Sequence, residues 1–408
     1  MKPILAVIVV ALCASTLWAR PATRPAAASA SRPDAALATP RSIYEKTVPS
    51  LVVVQYTYDG EAGRREFAGA GVVVSEDGLV AASLALTPPQ APDSHLRDFK
   101  IIIPGDDETE VEAVFLGRDE RSELTFVKAV QPREWTAVRF VDKPLDVGDV
   151  VYSVGLLPKD AGYRAFLMES RVAALLRGPT PTVLVGGGGV AGVSSPVFDQ
   201  AGQAIGFVPA QPGQPMLLND PQQSRAFREN PARAFVPASF ILLSLNDPPT
   251  PQRRIRVPWT GALLTGLKKD VAAFFNLEGK TVAQVGDVVP NSPAERAGLK
   301  TGDKIIQLNG KDLERGDEPD ETPLILARTI RRMPPDATVK LTLLRGRDEP
   351  PVEVDLKLEP QPKQPYEAVR YNIDDLGFAV RELVLGDTYG RRLPQDQPGV
   401  LVAFVRQA

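Results

Sequence analysis

The chain has 408 residues, 47 basic and 50 acidic side chains and a formal net charge of -3. That length suffices for two or three domains, each burying a core of its own. The near-neutral balance supplies no positive field for holding a polyphosphate backbone, which sets nucleic acid aside as a partner.

Lys2 is followed by an almost wholly apolar run to Trp18 and then by Ala19. This is the pattern of an export signal over residues 1–19, a charged start followed by a short apolar stretch. The alternative is an uncleaved membrane tether, since Leu17 is large where signal peptidase prefers a small residue. Cys13 is the only cysteine, so a mature exported chain would depend on core burial and not on disulfides. Residues 20–40 are mainly Ala, Pro, Ser, Thr and Arg without a hydrophobic period, a composition expected to form a disordered linker.

From Leu51 onward short β-rich runs take over, at 51–54, 72–74, 101–103, 150–154, 181–185 and 204–207, separated by Gly, Pro and Asp. Helical periodicity is scarce before residue 220, so 41–245 is predicted to be an all-β barrel or sandwich. Gly187-Gly188-Gly189-Val190-Ala191-Gly192 matches a dinucleotide-binding pattern, but no helix opens after it and Asp199 lies too close to reach a ribose. It reads as a flexible loop, and no cofactor is expected. One histidine and one cysteine cannot make an ordinary zinc site, and the acidic runs 106–110 and 314–321 lack calcium-loop spacing, so no metal is expected either.

A proline-rich break opens a linker over 246–256, whose Arg253, Arg254 and Arg256 read as solvated. A helical stretch at 269–275, a short segment at 292–299, a helix at 323–333 with Leu326, Ile330 and Met333 on one face, and a strand at 339–344 then predict a compact α/β module over 257–358. A second linker, 359–368, leads to 369–408. There Asp375-Leu376-Gly377-Phe378 and the run 399–405 begin to repeat that module, and a segment so short is expected to be mobile unless docked.

Gly69-Ala70-Gly71-Val72, Gly117-Arg118-Asp119, Val147-Gly148-Asp149-Val150 and Pro196-Val197-Phe198-Asp199 stand in one order. With that order and spacing, 41–245 resembles the HtrA (DegP-like) trypsin-fold proteases, and 257–358 resembles their PDZ domains. The resemblance implies a mainly β chain: a trypsin-like double β-barrel, an α/β PDZ domain and a partial second PDZ domain.

It also locates a degenerate triad. The family histidine falls on Ala85 and its aspartate on Glu123. The nucleophile segment reads Ala191-Gly192-Val193-Ser194-Ser195-Pro196, which places Val193 at the nucleophile without a gap or Ser194 with a one-residue deletion. A serine hydroxyl without an adjacent base is a poor nucleophile. His95 lies ten residues past Ala85 in the loop 88–98, expected to be exposed, and no Ser-x-x-Lys motif starts at Ser194 or Ser195.

In the PDZ resemblance Trp259-Thr260-Gly261-Ala262 forms the loop that receives a peptide carboxylate. Leu324, Ile325 and Leu326 line the facing helix, unless they are simply core. The expected protein is an exported envelope pseudoprotease binding polypeptide C-termini or unfolded segments, in homo-oligomers or together with HtrA-type proteins. The alternatives are an active HtrA-type serine endopeptidase and a structural envelope protein that binds no peptide.

Overall fold

The computed structural model describes residues 37–60, 63–105, 109–212, 216–220 and 231–405. The expected export signal, Cys13 and most of the expected first linker lie outside the described residues.

Six strands form the first closed barrel: β1 (Leu51–Gly60), β2 (Gly63–Val73), β3 (Leu79–Ser83), β4 (Leu96–Ile103), β5 (Thr109–Asp119) and β6 (Leu124–Ala129), in the order β1-β2-β3-β6-β5-β4. Six more close the second in the order β10-β11-β12-β9-β8-β7: β7 (Val150–Leu156), β8 (Ala165–Leu176), β9 (Thr182–Gly187), β10 (Pro196–Phe198), β11 (Ala204–Phe207) and β12 (Ala234–Pro237). Closure removes the unpaired edges that an open sheet would expose.

The unbroken apolar run at the start of β1 follows from burial on both of its faces. Val52, Val54 and Tyr56 fill the first barrel with Val80, Phe99 and Ile101. Leu51 and Val53 alternate to the other side and enter a separate core with Phe126, Tyr152, Val154 and Phe207, which joins the two barrels. A third cluster around Val172, Val183, Val197, Ile205 and Phe235 fills the second barrel.

Two helices brace this seam. The first, α1 (Pro40–Thr47), begins at the last residue assigned to the linker; Thr39 caps it by accepting from Ser42 N at 3.1 Å, and Pro40 occupies the first turn, where no amide donor is missed. Ile43 and Tyr44 pack it on the seam. One short helix with two apolar contacts leaves little period to read, which is why it was missed. The second, α2 (Ala238–Asn246), inserts Phe240 and Ile241 into the same core.

The following module contains β13 (Pro258–Trp259), β14 (Ala262–Gly266), α3 (Lys269–Phe274), β15 (Ala283–Val288), α4 (Pro293–Arg296), β16 (Lys304–Leu308), β17 (Lys311–Asp312), α5 (Thr322–Arg331), β18 (Thr338–Leu344), β19 (Val352–Lys357) and β20 (Glu359–Pro360). Its main sheet runs β14-β15-β16-β18-β19, so β14 is an edge strand. Arginines of α5 and the residue after it bind this module to the barrels: Arg328 donates to Gly178 O and Pro179 O, Arg331 to Glu120, and Arg332 to Arg121 O.

The last segment forms a three-stranded sheet, β21 (Arg370–Ile373), β22 (Phe378–Glu382) and β23 (Val400–Val405), with α6 (Leu385–Gly390) between β22 and β23. It is docked: Tyr389 bonds to Asp287, and Gln395 bonds to Asn291 and to Pro290 O. Arg381 and Asp387 form a bidentate ion pair within it, at 2.6 and 2.9 Å, with both side chains only 9% exposed.

Arg381 holds the Asp387 carboxyl down at about 2, from an ordinary 3.8. A depressed carboxyl pKa stabilises the folded state fully above the unfolded value, and that contribution fades as pH falls from near 4 toward 2. Hydrogen exchange should therefore show residues 370–405 opening across that interval. In Asp387→Asn they should be destabilised at neutral pH and should lose the acid-dependent step.

Candidate active site

Backbone pairing brings Ala85, Glu123 and the Ser194 segment close to one another. β3 and β6 run antiparallel with Ser83 opposite Leu124. Just past the end of this ladder Leu84 N donates to Glu123 O at 2.8 Å. A short 3-10 turn, Leu84–Leu86, carries Ala85 and is capped by Ser83 Oγ. From the second barrel Ser194 Oγ accepts the Ser83 N–H at 2.9 Å. Ala85, Glu123 and Ser194 are thus linked through immediate neighbours, where two barrels that share one core must meet.

The groups at these positions are largely committed to bonds within the fold. Ser194 is 3% exposed, and its oxygen is occupied by the Ser83 amide. Its backbone has φ +70, a left-handed conformation that a glycine adopts without cost and a serine does not. Ser194 N donates to Val208 O, and Val208 N to Ser195 O, so the chain enters β10 as a continuous ladder with β11. The Ser195 hydroxyl is buried and has no hydrogen-bond partner among the described residues. Val193 is buried as well.

An oxyanion hole needs amide donors aimed at open space. Ala191 N, two residues before Val193, instead donates to Ser153 Oγ at 2.9 Å, and Ser153 is wholly buried. Nothing near residue 153 in the sequence identifies this partner, which lies 38 positions away.

Glu123 also sits in a left-handed conformation, φ +54, and its carboxylate is 3.4 Å from Thr180 Oγ1 in the turn between β8 and β9. Although the residue is exposed, partial desolvation raises its carboxyl above the usual range, and the bond from Thr180 partly opposes this.

His95 departs from the exposed loop residue expected. It is half-buried, with Nδ1 3.3 Å from Tyr58 OH and its ring edge-on to the Tyr58 ring. The loop is ordered by Arg118, which donates to Thr87 O and Ala91 O and pairs with Asp93. An arginine 25 residues from the aspartate it holds leaves no local pattern to read.

In the second module Gly261 (φ +77) packs so closely on the buried Ser292 that an added Cβ would lie 2.1 Å from Ser292 Cβ, so only glycine fits. Gly261 O accepts from Val289 N, Thr260 O from Ala294 N, and Ala262 N donates to Thr260 Oγ1. Trp259 pairs with Glu359. These contacts set the loop at the start of edge strand β14. Across from β14, Leu324 is 54% exposed, but Ile325 and Leu326 are 1% and 3% exposed, and Leu326 belongs to the module's core. Of the three apolar residues expected in the groove wall, Leu324 alone is at the surface.

Residues 69–207 match the family described as trypsin-like peptidase domain, and residues 284–325 the family described as PDZ domain. The chain is 27% identical over 343 residues to a probable periplasmic serine endoprotease DegP-like of Rhizobium meliloti, and 24% identical over 326 residues to its counterpart in Marinomonas. These alignments cover 83% and 79% of the chain but 62% and 64% of the relatives, so it spans about three-fifths of their length. Among solved structures, an HtrA-type protease AlgW with decapeptide aligns with TM-score 0.58 and 16% identity, over 80% of this chain and 100% of the other. A serine endoprotease from Yersinia pestis aligns with TM-score 0.52 and 19% identity, over 79% and 98%.

Ser194→Ala removes an acceptor from a buried amide, and should lower unfolding free energy by about 1–3 kcal/mol in denaturant titration. A serine-directed fluorophosphonate should label neither Ser194 nor Ser195. For Glu123 the folded pKa lies above the unfolded one, so stability falls as pH rises through that interval. Because the side chain is exposed, solvent screens this effect, so Glu123→Gln should raise the melting temperature at pH 7 only slightly and lose this advantage in acid, where the carboxyl is protonated.

Proposed function

We propose that this chain, which belongs to the HtrA family of trypsin-like proteins with PDZ domains, is an exported pseudoprotease that binds polypeptide ends without cutting them. One observation carries the reading: at the converging positions of a trypsin-like triad stand Ala85, Glu123 and a buried Ser194 whose oxygen already serves the Ser83 amide. With no imidazole there, no group takes the proton from a hydroxyl or returns it to a leaving amine. Loss of the histidine alone costs subtilisin on the order of a millionfold in turnover.

The binding half of the proposal rests on β14. An edge strand offers its outer amides and carbonyls to an extended peptide, and the loop over Trp259, Thr260, Gly261 and Ala262 stands where a terminal carboxylate would end such an added strand. In this reading 41–245 is the pseudoprotease domain, 257–358 the PDZ domain and 369–408 a partial second one. The relatives' description as periplasmic supports a place in the cell envelope. Their description as endoproteases favours the second reading, an active protease, which needs a base that the geometry does not supply. A chaperone-like or regulatory role, alone or assembled with HtrA-type proteins, is the activity we assign.

Unfolded casein should remain uncut by the purified chain. Ala85→His should restore at most trace hydrolysis, because Ser194 N is already engaged by Val208 O and is not free to serve an oxyanion. Peptides with free, apolar C-termini should bind, and amidating the terminus should weaken binding measurably in fluorescence anisotropy. Casein cleavage that disappears in Ser194→Ala would overturn the pseudoprotease reading, and equal affinity for free and amidated peptides would overturn the carboxylate loop.

A further inference from the structure

The edge strand β14 has two faces, one packed toward α5 and the other open. Ala262 and Leu264 turn toward the core that also holds Leu326 and Ile330 of α5. By strand alternation Leu263 and Thr265 turn the other way, and both are exposed. Leu263 lies opposite Asp287 of β15, and directly opposed residues share a face, so the Asp287 carboxylate stands beside Leu263 on the side away from α5.

The last segment reaches that side. Tyr389 of α6 donates its hydroxyl to Asp287, Gln395 Nε2 donates to Pro290 O at 2.6 Å, and Asn291 Nδ2 donates to Gln395 Oε1 at 3.0 Å. These three bonds fix α6 and the turn after it against the end of β15, one strand in from the open edge. Asp287 itself remains solvent-accessible and carries its full charge, since the Tyr389 bond and its own Val288 N–H hold its carboxyl below the usual range.

We propose that the last segment supplies a second wall to the peptide groove, and that the Leu263, Asp287 and Tyr389 surface selects ligands with Lys or Arg at the positions facing it. This rests on the reading that β14 receives a peptide strand. In an added strand alternate side chains face α5, and the intervening ones face this surface. A lysine or arginine suits it chemically: the aliphatic stem lies along Leu263, and the cationic head reaches the Asp287 carboxylate beside the Tyr389 ring. A glutamate at the same position meets a like charge.

The test uses the full chain and ten-residue peptides with free, apolar C-termini, carrying Lys, Ala or Glu at every second position in each of the two phases, titrated by fluorescence anisotropy. In one phase only, Lys should bind about two- to fivefold tighter than Ala, and Glu weaker, as expected for a solvent-accessible ion pair. The preference should shrink in high salt. Asp287→Asn should abolish it, and the milder Tyr389→Phe, which frees the carboxylate from its hydroxyl partner, should alter it, while the Ala peptide binds as before. A preference unchanged in both variants, or its absence in the unaltered chain, overturns the second wall and leaves β14 as a peptide site. Failure of every peptide to bind overturns the peptide reading together with this one.

Discussion

A carboxylate as deeply buried as that of Asp119 is tolerated only when hydrogen-bonded on all sides. Arg121 supplies its backbone amide and a bidentate guanidinium, and Ser244 of α2 adds its hydroxyl at 2.7 Å. The turn between β5 and β6 is thereby folded back on itself and tied to α2. Each of its other residues can then be used. Glu120 accepts from Arg331 and from Tyr366, Arg121 O from Arg332, and Glu123 O from Leu84; Ser122 donates to Phe240 O. One buried charge thus positions the degenerate acid, the turn that carries Ala85 and the docking surface of the second module.

The positions of Ala85, Glu123 and Ser194 contribute little to the apolar core that holds the barrels together. The seam is closed by aliphatic and aromatic side chains of β1, β6, β7, β11 and the two helices, selected by strand alternation. Ser194 and Ser153 have a structural part at this junction. Each hydroxyl accepts a buried amide that would otherwise go unpaired, a lack worth about 1–3 kcal/mol apiece. Pairing these donors within the fold stabilises the junction between the two barrels.

An open strand edge is usually a liability, since it can pair with any extended chain. Here β14 keeps its edge with α5 on one face, while the segment carrying Tyr389 and Gln395 docks one strand in, at the end of β15. α5 is in turn bound to the barrels through Arg328, and Arg331 and Tyr366 meet on the same Glu120. The edge is therefore presented by a frame that all three parts of the chain hold.

That the chain carries one histidine, ten residues from Ala85, was legible before any fold was known, because folding moves side chains without changing them. Also legible were six of the twelve barrel strands, β18 and the helix at α5, because burial writes a period of two or near four into neighbouring residues. Tertiary structure alone decided the rest. Which hydroxyl of Ser194 and Ser195 found a partner, that Ile325 and Leu326 turn inward while Leu324 does not, that His95 rests on Tyr58, and that the last segment docks on β15 all depend on groups distant in the chain. The Ser83 to Ser194 bond spans 111 positions, and Tyr389 to Asp287 spans 102. A hydrogen bond between such residues imposes no spacing on their neighbours, so local pattern carries no trace of it until the barrels and modules have packed.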